Sequence, residues 1–408
     1  MLNSKWKAGL LGLLCGVSVL SPVAFAGKAS NRVEFVGSLF TGATQDENFN
    51  RIDQLFPTAD VPASSQPQPW PNGSKIQLPA HFRSNGKPLR TRDFLRDTDT
   101  AALLVLKDGK VRFERYWLTG SPDAHWLSMS VAKSFVSAMI GIAVDEGKIG
   151  SVEDPVTKYL PNLAGSGYDG VRIKDILQMS SGVRWNEDYS DRNSDIARLG
   201  TTLATGGSFA DFPAQLPREF APGTFNRYNS TDTLVLGLLL EKATGVRIAS
   251  YMREKLWGPL GATDRAYWLT DDSGTAMAFG GLNATARDYA RLGELYRLNG
   301  VWHGRQVVPS DWVKSSITPD APHLMPGVRA NSDSDMGYGY QWWVPGGGDD
   351  QDFCAIGVYN QNIYVNPREH VVIVKLSASR NYGRTNDDSS WREHDHMGLF
   401  RAIARSVH

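Results

Sequence analysis

Apolar and polar positions along the 408-residue chain fall into three regimes. Ala101 to Leu106 is continuously apolar, and Val111 to Trp117 resumes with β-forming residues after Lys107-Asp108-Gly109-Lys110. An Asp-Gly pair between two such runs predicts a tight hairpin. From Val131 to Glu146 apolar residues recur at helical spacing until Gly147 stops them, which predicts a long buried helix. Further helices are predicted over Ile173 to Met179, Thr231 to Thr244, Thr285 to Leu298 and Met397 to Val407, around a mixed, helix-leaning stretch from Arg184 to Ala276. After Pro309 the pattern returns to strands, at Tyr338 to Trp343, Cys354 to Tyr359, Ile363 to Asn366 and Val371 to Leu376. Strands at both ends of a helix-rich middle predict an α+β fold. Its sheet would be antiparallel, built from N- and C-terminal segments and flanked by helices, with a helix-rich subdomain inserted at about 150–280.

The first residues follow a different logic. Lys5 and Lys7 precede an apolar block from Ala8 to Leu20, and Ala24-Phe25-Ala26 offers a small-x-small cleavage site. This predicts a signal peptide over residues 1–26, cut after Ala26, and a periplasmic or secreted protein. The block is too short for a span of about 20 residues, so no stable membrane anchor is expected. Leu14 stands before Cys15 where lipidation would want a small residue. Pro57, Pro62, Pro67, Pro69, Pro71 and Pro79 crowd residues 27–97, predicting an extended N-terminal segment ahead of the domain at 98–408.

Charge is balanced at 43 basic and 43 acidic residues, so nothing points to nucleic acid. Outside the leader Cys354 is the sole cysteine, which excludes an internal disulfide. The pattern specifies no oligomeric state.

Candidate chemistry changes this picture at Ser130-Val131-Ala132-Lys133, at the start of the predicted long helix. Residues i and i+3 share a helix face, so the Lys133 amine can sit beside the Ser130 hydroxyl and take its proton. The helix mouth adds unpaired N–H groups and a dipole that favours developing negative charge. A second candidate is Tyr228-Asn229-Ser230, between the turn signal Phe220-Ala221-Pro222-Gly223 and an apolar helix. If Tyr228 neighbours Lys133, the ammonium would lower its pKa and suit it to phenolate-type proton transfer.

Together these residues resemble the serine β-lactamase and penicillin-binding-protein superfamily, in its class C, esterase and 6-aminohexanoate-dimer-hydrolase branch. The resemblance runs from about Thr98 to Val407. It rests on Ser130-Val131-Ala132-Lys133, Leu177-Gln178-Met179-Ser180-Ser181-Gly182-Val183, Tyr228-Asn229-Ser230 and Phe279-Gly280-Gly281-Leu282-Asn283-Ala284-Thr285-Ala286-Arg287-Asp288. It implies that Ser130 is acylated, that Lys133 activates it and that Tyr228 relays the proton to the leaving group. It also implies an oxyanion hole made by the Ser130 and Val358 backbone N–H groups, with Ile356 and Gly357 on the strand flanking substrate. From the same likeness Tyr189 and Asp195 are expected in the substrate cleft, Asp195 toward a substrate amine. Ser230 and Trp342 complete the expected substrate-binding set. No metal or organic cofactor is implied.

Two departures matter. Where lactam-processing members carry Lys-Thr/Ser-Gly, this chain reads Ala355-Ile356-Gly357, and Tyr228-x-Ser230 replaces Tyr-x-Asn. The expectation is therefore a serine hydrolase of a small linear amide or ester. A carboxylesterase, a β-lactamase or D-amino-acid peptidase, and a catalytically inactive binding protein are the alternatives. Glu393-His394-Asp395-His396 has metal-ligand residue types, but without a third fixed partner it reads as a surface cluster. Gly206-Gly207-Ser208 lacks the second glycine of a nucleophile elbow.

Overall fold

A computed structural model describes residues 32–34, 45–347 and 351–407. The signal-peptide expectation at 1–26 lies outside the described residues. The main sheet has seven strands: β1 (Thr100–Lys107), β2 (Lys110–Tyr116), β3 (Gly337–Tyr338), β4 (Trp343–Val344), β5 (Phe353–Gly357), β6 (Gln361–Asn366) and β7 (Val371–Ser377). Their spatial order is β3-β4-β5-β6-β7-β1-β2, antiparallel throughout. The C-terminal strands thus complete a sheet begun near residue 100, as the pattern predicted. Asp108 and Gly109 both take positive φ, 51° and 69°, which gives the β1–β2 turn the twist that two-residue hairpins need.

β1 is apolar from Ala101 to Leu106 because both of its faces are covered. Successive side chains point to opposite sides of a sheet. Ala102, Leu104 and Leu106 join the large core, whereas Leu103 and Val105 join a second core with Phe400 and Ile403 of the last helix. The large core is covered by α1 (Ala132–Asp145), α2 (Asp195–Thr205), α3 (Ser230–Thr244) and α4 (Ala286–Arg297), and the second by α5 (Glu393–Ser406) with the hairpin His81–Ser84/Lys87–Arg90.

Three features depart from the sequence reading. A second, four-stranded sheet pairs Thr58–Val61 with Ala266–Leu269, then Leu282–Ala284, then Trp126–Leu127. Strands of two to four residues whose partners lie up to about 200 positions away leave no local period to read. The expected strand at Tyr338 to Trp343 is a hairpin instead, turned at Gln341 (φ 62°). The Gln341 side chain anchors that turn, donating to the Leu177 carbonyl at 2.8 Å and accepting from Thr233 Oγ1 at 2.6 Å. Finally, residues 62–80 contain only an isolated bridge, but regular structure lies on either side of them, including the helix Thr91–Asp97.

Candidate active site

Ser130 sits in a 3-10 turn, Met129–Val131, that feeds directly into α1. The preceding strand is held by Leu127 N–H to the Phe49 carbonyl and Ser128 N–H to the Leu282 carbonyl, at 2.9 and 2.8 Å. Met129 is left-handed, φ 45°, a conformation that costs a non-glycine residue about 1–3 kcal/mol and persists only where the surroundings dictate it. Opposite this turn stands Gly357 of β5. A Cβ there would lie 2.6 Å from the Ser128 carbonyl oxygen and 3.0 Å from the Ser130 nitrogen. No side chain fits, and its absence lets β5 approach the nucleophile turn. Gly357 therefore serves the turn; it does not line the cleft.

Lys133 is 1% exposed, with Nζ 2.9 Å from Ser130 Oγ, 3.1 Å from Ser230 Oγ and 2.7 Å from the Phe279 carbonyl oxygen. Its three polar neighbours are not equivalent. The Phe279 carbonyl can only accept. The Ser230 hydroxyl spends its one hydrogen on Glu187 Oε1 at 2.6 Å, so it too accepts from Lys133. Two N–H bonds are thereby committed, and the third direction of Nζ faces Ser130 Oγ. Burial lowers the Lys133 pKa to about 7, against an opposing pull from the nearby Glu187 and Asp232. A neutral amine held this way turns its lone pair to the Ser130 hydroxyl.

Glu187 was not singled out from the sequence, yet it organises this network. Its carboxyl accepts from Ser230 Oγ and from the Tyr189 hydroxyl, both 2.6 Å, from Ser230 N–H at 3.0 Å and from Trp185 Nε1. The Ser230 N–H is an unpaired donor of the first turn of α3, so Glu187 also complements that helix dipole. Acidic residues crowd its loop, Glu187, Asp188, Asp191 and Asp195, and only the pairing with Ser230 distinguishes Glu187.

Tyr228 stacks on Trp343 (5.3 Å between centroids, 21°) with the edge of Tyr338 beside it. The segment before it is tied to the Leu177-to-Val183 motif by Arg227 N–H to the Met179 carbonyl and Asn226 Nδ2 to the Gln178 carbonyl. The phenolate expectation is corrected here. Lys133 lies over the face of the ring, 5.1 Å from its centroid, in a cation–π position. Burial, reinforced by Glu187, holds the Tyr228 hydroxyl well above its ordinary pKa, although its interaction with the Ser130 side chain opposes this. Tyr228 is a neutral phenol touching the nucleophile.

A cleft of about 740 Å³ opens over Ser130, and Tyr189, Tyr228, Trp343, Ile356 and Val358 line it. Besides Gly357, three of the expected substrate contacts lie elsewhere. Asp195, at the start of α2, accepts from Asn186 N–H at 2.9 Å and pairs with Arg198 at 2.8 Å, away from the cleft. Trp342 is fully buried between Tyr296 and Phe353, at 4.5 and 5.2 Å, while its neighbour Trp343 faces the cleft, as alternation along a strand requires. Ser230 is 1% exposed and lies beneath Lys133 and Glu187. The Glu393-to-His396 cluster is also not simply a surface feature. Glu393 and His394 line the cleft, whereas His396 is buried with Nδ1 2.7 Å from the Arg392 carbonyl.

The Beta-lactamase family profile matches residues 91–396, three quarters of the chain. The chain belongs to that family. It is 35% identical over 338 residues to the 6-aminohexanoate-dimer hydrolase of Paenarthrobacter ureafaciens, covering 81% of this chain and 84% of that one. Similarity to a D-alanyl-D-alanine carboxypeptidase assignment in Escherichia coli K12 is lower, 24% over 40% of this chain and 42% of the relative. A Bacillus anthracis structure provisionally assigned as a 6-aminohexanoate-dimer hydrolase superposes with a TM-score of 0.77 at 22% identity, over 90% of this chain and 95% of that one. A penicillin-binding protein homologue from Pyrococcus abyssi gives 0.56 at 19%, over 76% and 74%. This family member is a serine hydrolase with the α+β fold of its superfamily.

Proposed function

We propose that the protein hydrolyses small linear amides or esters through an acyl-enzyme on Ser130. The observation that carries this reading is the committed hydrogen-bond set of Lys133, which leaves one direction of a buried amine for the Ser130 hydroxyl. In the proposed first step Ser130 Oγ bonds to the substrate carbonyl carbon as its proton passes to Lys133. Charge then develops on the carbonyl oxygen, which the Ser130 and Val358 N–H groups would receive, a reading supported by the close approach of Gly357 to the Ser130 nitrogen. As the C–N or C–O bond breaks, the Tyr228 phenol donates its proton to the leaving atom, and the Lys133 ammonium over its ring stabilises the resulting phenolate until water restores that proton. Water repeats the sequence in reverse and frees Ser130.

The likeness to a named dimer hydrolase over most of both chains favours a linear amide, and the same groups serve an ester. A lactam is disfavoured because Ala355 and Ile356 offer neither the ammonium nor the hydroxyl of Lys-Thr-Gly for a substrate carboxylate. A panel of p-nitrophenyl esters, linear ω-amino amides, D-Ala-D-Ala peptides and nitrocefin tests this. Turnover of the first two classes and stoichiometric fluorophosphonate labelling, both lost in Ser130→Ala, are expected. Nitrocefin turnover matching that of the esters would overturn the substrate assignment, and absence of labelling would overturn the enzyme. Export through the 1–26 leader is part of the proposal. The secreted or periplasmic protein should begin at Gly27 by intact mass, and a retained Met1 would refute export.

A further inference from the structure

Seven carboxyl groups line the cleft against two basic side chains, Arg227 and His394. Six of the seven are already partnered within the protein. Glu187 holds four donors; Asp188 accepts from Ser190; Asp333 pairs with Arg227 at 2.8 Å, and Asp335 with His394 at 3.1 Å. Asp387 accepts from Thr385 and Ser389, and Asp388 Oδ1 from the N–H groups of Glu393 and His394. The seventh, Glu393, has no side-chain hydrogen bond or ion pair among the described residues.

The backbone explains its position. Arg392, left-handed at φ 58°, ends the short helix Asp388–Trp391 and begins α5, so Glu393 emerges at the cleft as the first residue of that helix. The adjacent cation cannot neutralise it. Arg392 pairs with Asp395 at 2.9 Å and lies over the Phe94 ring at 4.6 Å. The groups that do face Glu393 are Asp388 from the preceding helix, the Asp335–His394 pair, the buried Cys354 thiol of β5, and Tyr228 and Tyr382. Burial and the Asp388 and Asp335 carboxyl groups push its pKa up to about 8. A half-buried carboxyl beside two others and without a counter-ion is stabilised by any cation that arrives. Among the described residues no three His, Cys, Asp or Glu side chains converge closely enough to hold a metal ion. A group with several N–H donors suits the spread-out carboxyl oxygens better.

We propose that Glu393 is a specificity-determining residue that receives a primary ammonium group of the substrate. The proposal rests on reading the cleft as an acyl-transfer site, and it names what that site selects: linear acyl compounds with a free amine.

The test measures competitive inhibition of p-nitrophenyl heptanoate hydrolysis by hexylammonium and by 1-hexanol, using the mature chain, its Glu393→Gln variant and its Glu393→Asp variant. In the wild type hexylammonium should inhibit about tenfold more strongly than the alcohol, the size of one charge-assisted hydrogen bond. Glu393→Gln should bring the ratio of the two inhibition constants close to one, whatever happens to the basal rate, and Glu393→Asp should keep most of it. Equal inhibition by both compounds in the wild type, or an undiminished ratio in Glu393→Gln, overturns the proposal. Should Glu393→Gln fail to fold, the wild-type ratio and the Asp variant still decide. Ester turnover without preference for the cation sinks only the role of Glu393, whereas absence of both turnover and fluorophosphonate labelling sinks the hydrolase reading beneath it.

Discussion

At the Ser130 end of the cleft a set of polar side chains is committed to one another, whereas at the Glu393 end a carboxyl has no side-chain partner among the described residues. Lys133, Ser230, Glu187, Tyr189 and Trp185 form one connected set in which each hydrogen bond fixes the direction of the next. Such a network is ready before substrate arrives, so little reorganisation is needed as charge develops. The Glu393 end has no such closure, and its carboxyl stays half-buried beside other acids. The difference separates two tasks. Chemistry demands that the protein satisfy its own groups in one geometry, while recognition leaves a group for the substrate to satisfy.

The largest expected effect comes from breaking the committed end at its centre. Lys133→Ala should lower kcat/KM for p-nitrophenyl esters by several orders of magnitude, because removing one member of a coupled nucleophile–base unit costs roughly what removing the unit does. Near-normal turnover would remove Lys133 from the mechanism. In the wild type the same amine sets the pH profile. With a pKa of about 7 it is protonated below that value and free to accept a proton above it, so kcat/KM should rise with pH through about 7 and then level off. A profile that falls over this range would mean that the ammonium is the working form.

A smaller effect is expected from Glu187→Gln. The amide keeps the size of the side chain but presents N–H groups to donors that a carboxylate accepted, Ser230 N–H and Trp185 Nε1 among them. We expect kcat to fall by roughly 10- to 100-fold through misplacement of Ser230 and Lys133, with roughly 1–3 kcal/mol of lost stability. Unchanged kcat with lost stability would make Glu187 a purely structural group. The smallest effect is expected from Asp195→Asn, which touches neither end. Its ion pair with half-exposed Arg198 is worth at most about 1 kcal/mol, and KM for ω-amino substrates should not move. A several-fold rise in KM would restore Asp195 to the cleft and weaken the case for Glu393.

How much of this was legible beforehand depends on the range of the interaction. The β1–β2 hairpin, α1 and the strands from Phe353 to Ser377 carry local signals, an Asp-Gly turn or apolar runs of definite period, and these were read close to their observed limits. Ser130 and Lys133 were legible because one helical turn joins them. Tyr228 was found by motif, but its protonation was misjudged, since whether an ammonium meets a tyrosine at its hydroxyl or over its ring depends on packing between distant segments. Trp342 and Trp343 differ by one position, and the register of a two-residue strand decides which of them faces the cleft.

The sequence by itself determined that a serine and a lysine share a helix face at the mouth of a buried helix, and that N- and C-terminal strands complete one sheet. Both follow from the periods of helix and strand, which act over a few residues. Only the tertiary structure decided which of several neighbouring acids holds Ser230, that Asp195 is spent on Arg198, and that Glu393 lines the same cleft as Ser130 with no side-chain partner among the described residues. The physical reason is that a carboxylate's role depends on which donors and cations the fold brings to it, and those donors lie up to about 43 residues away along the chain.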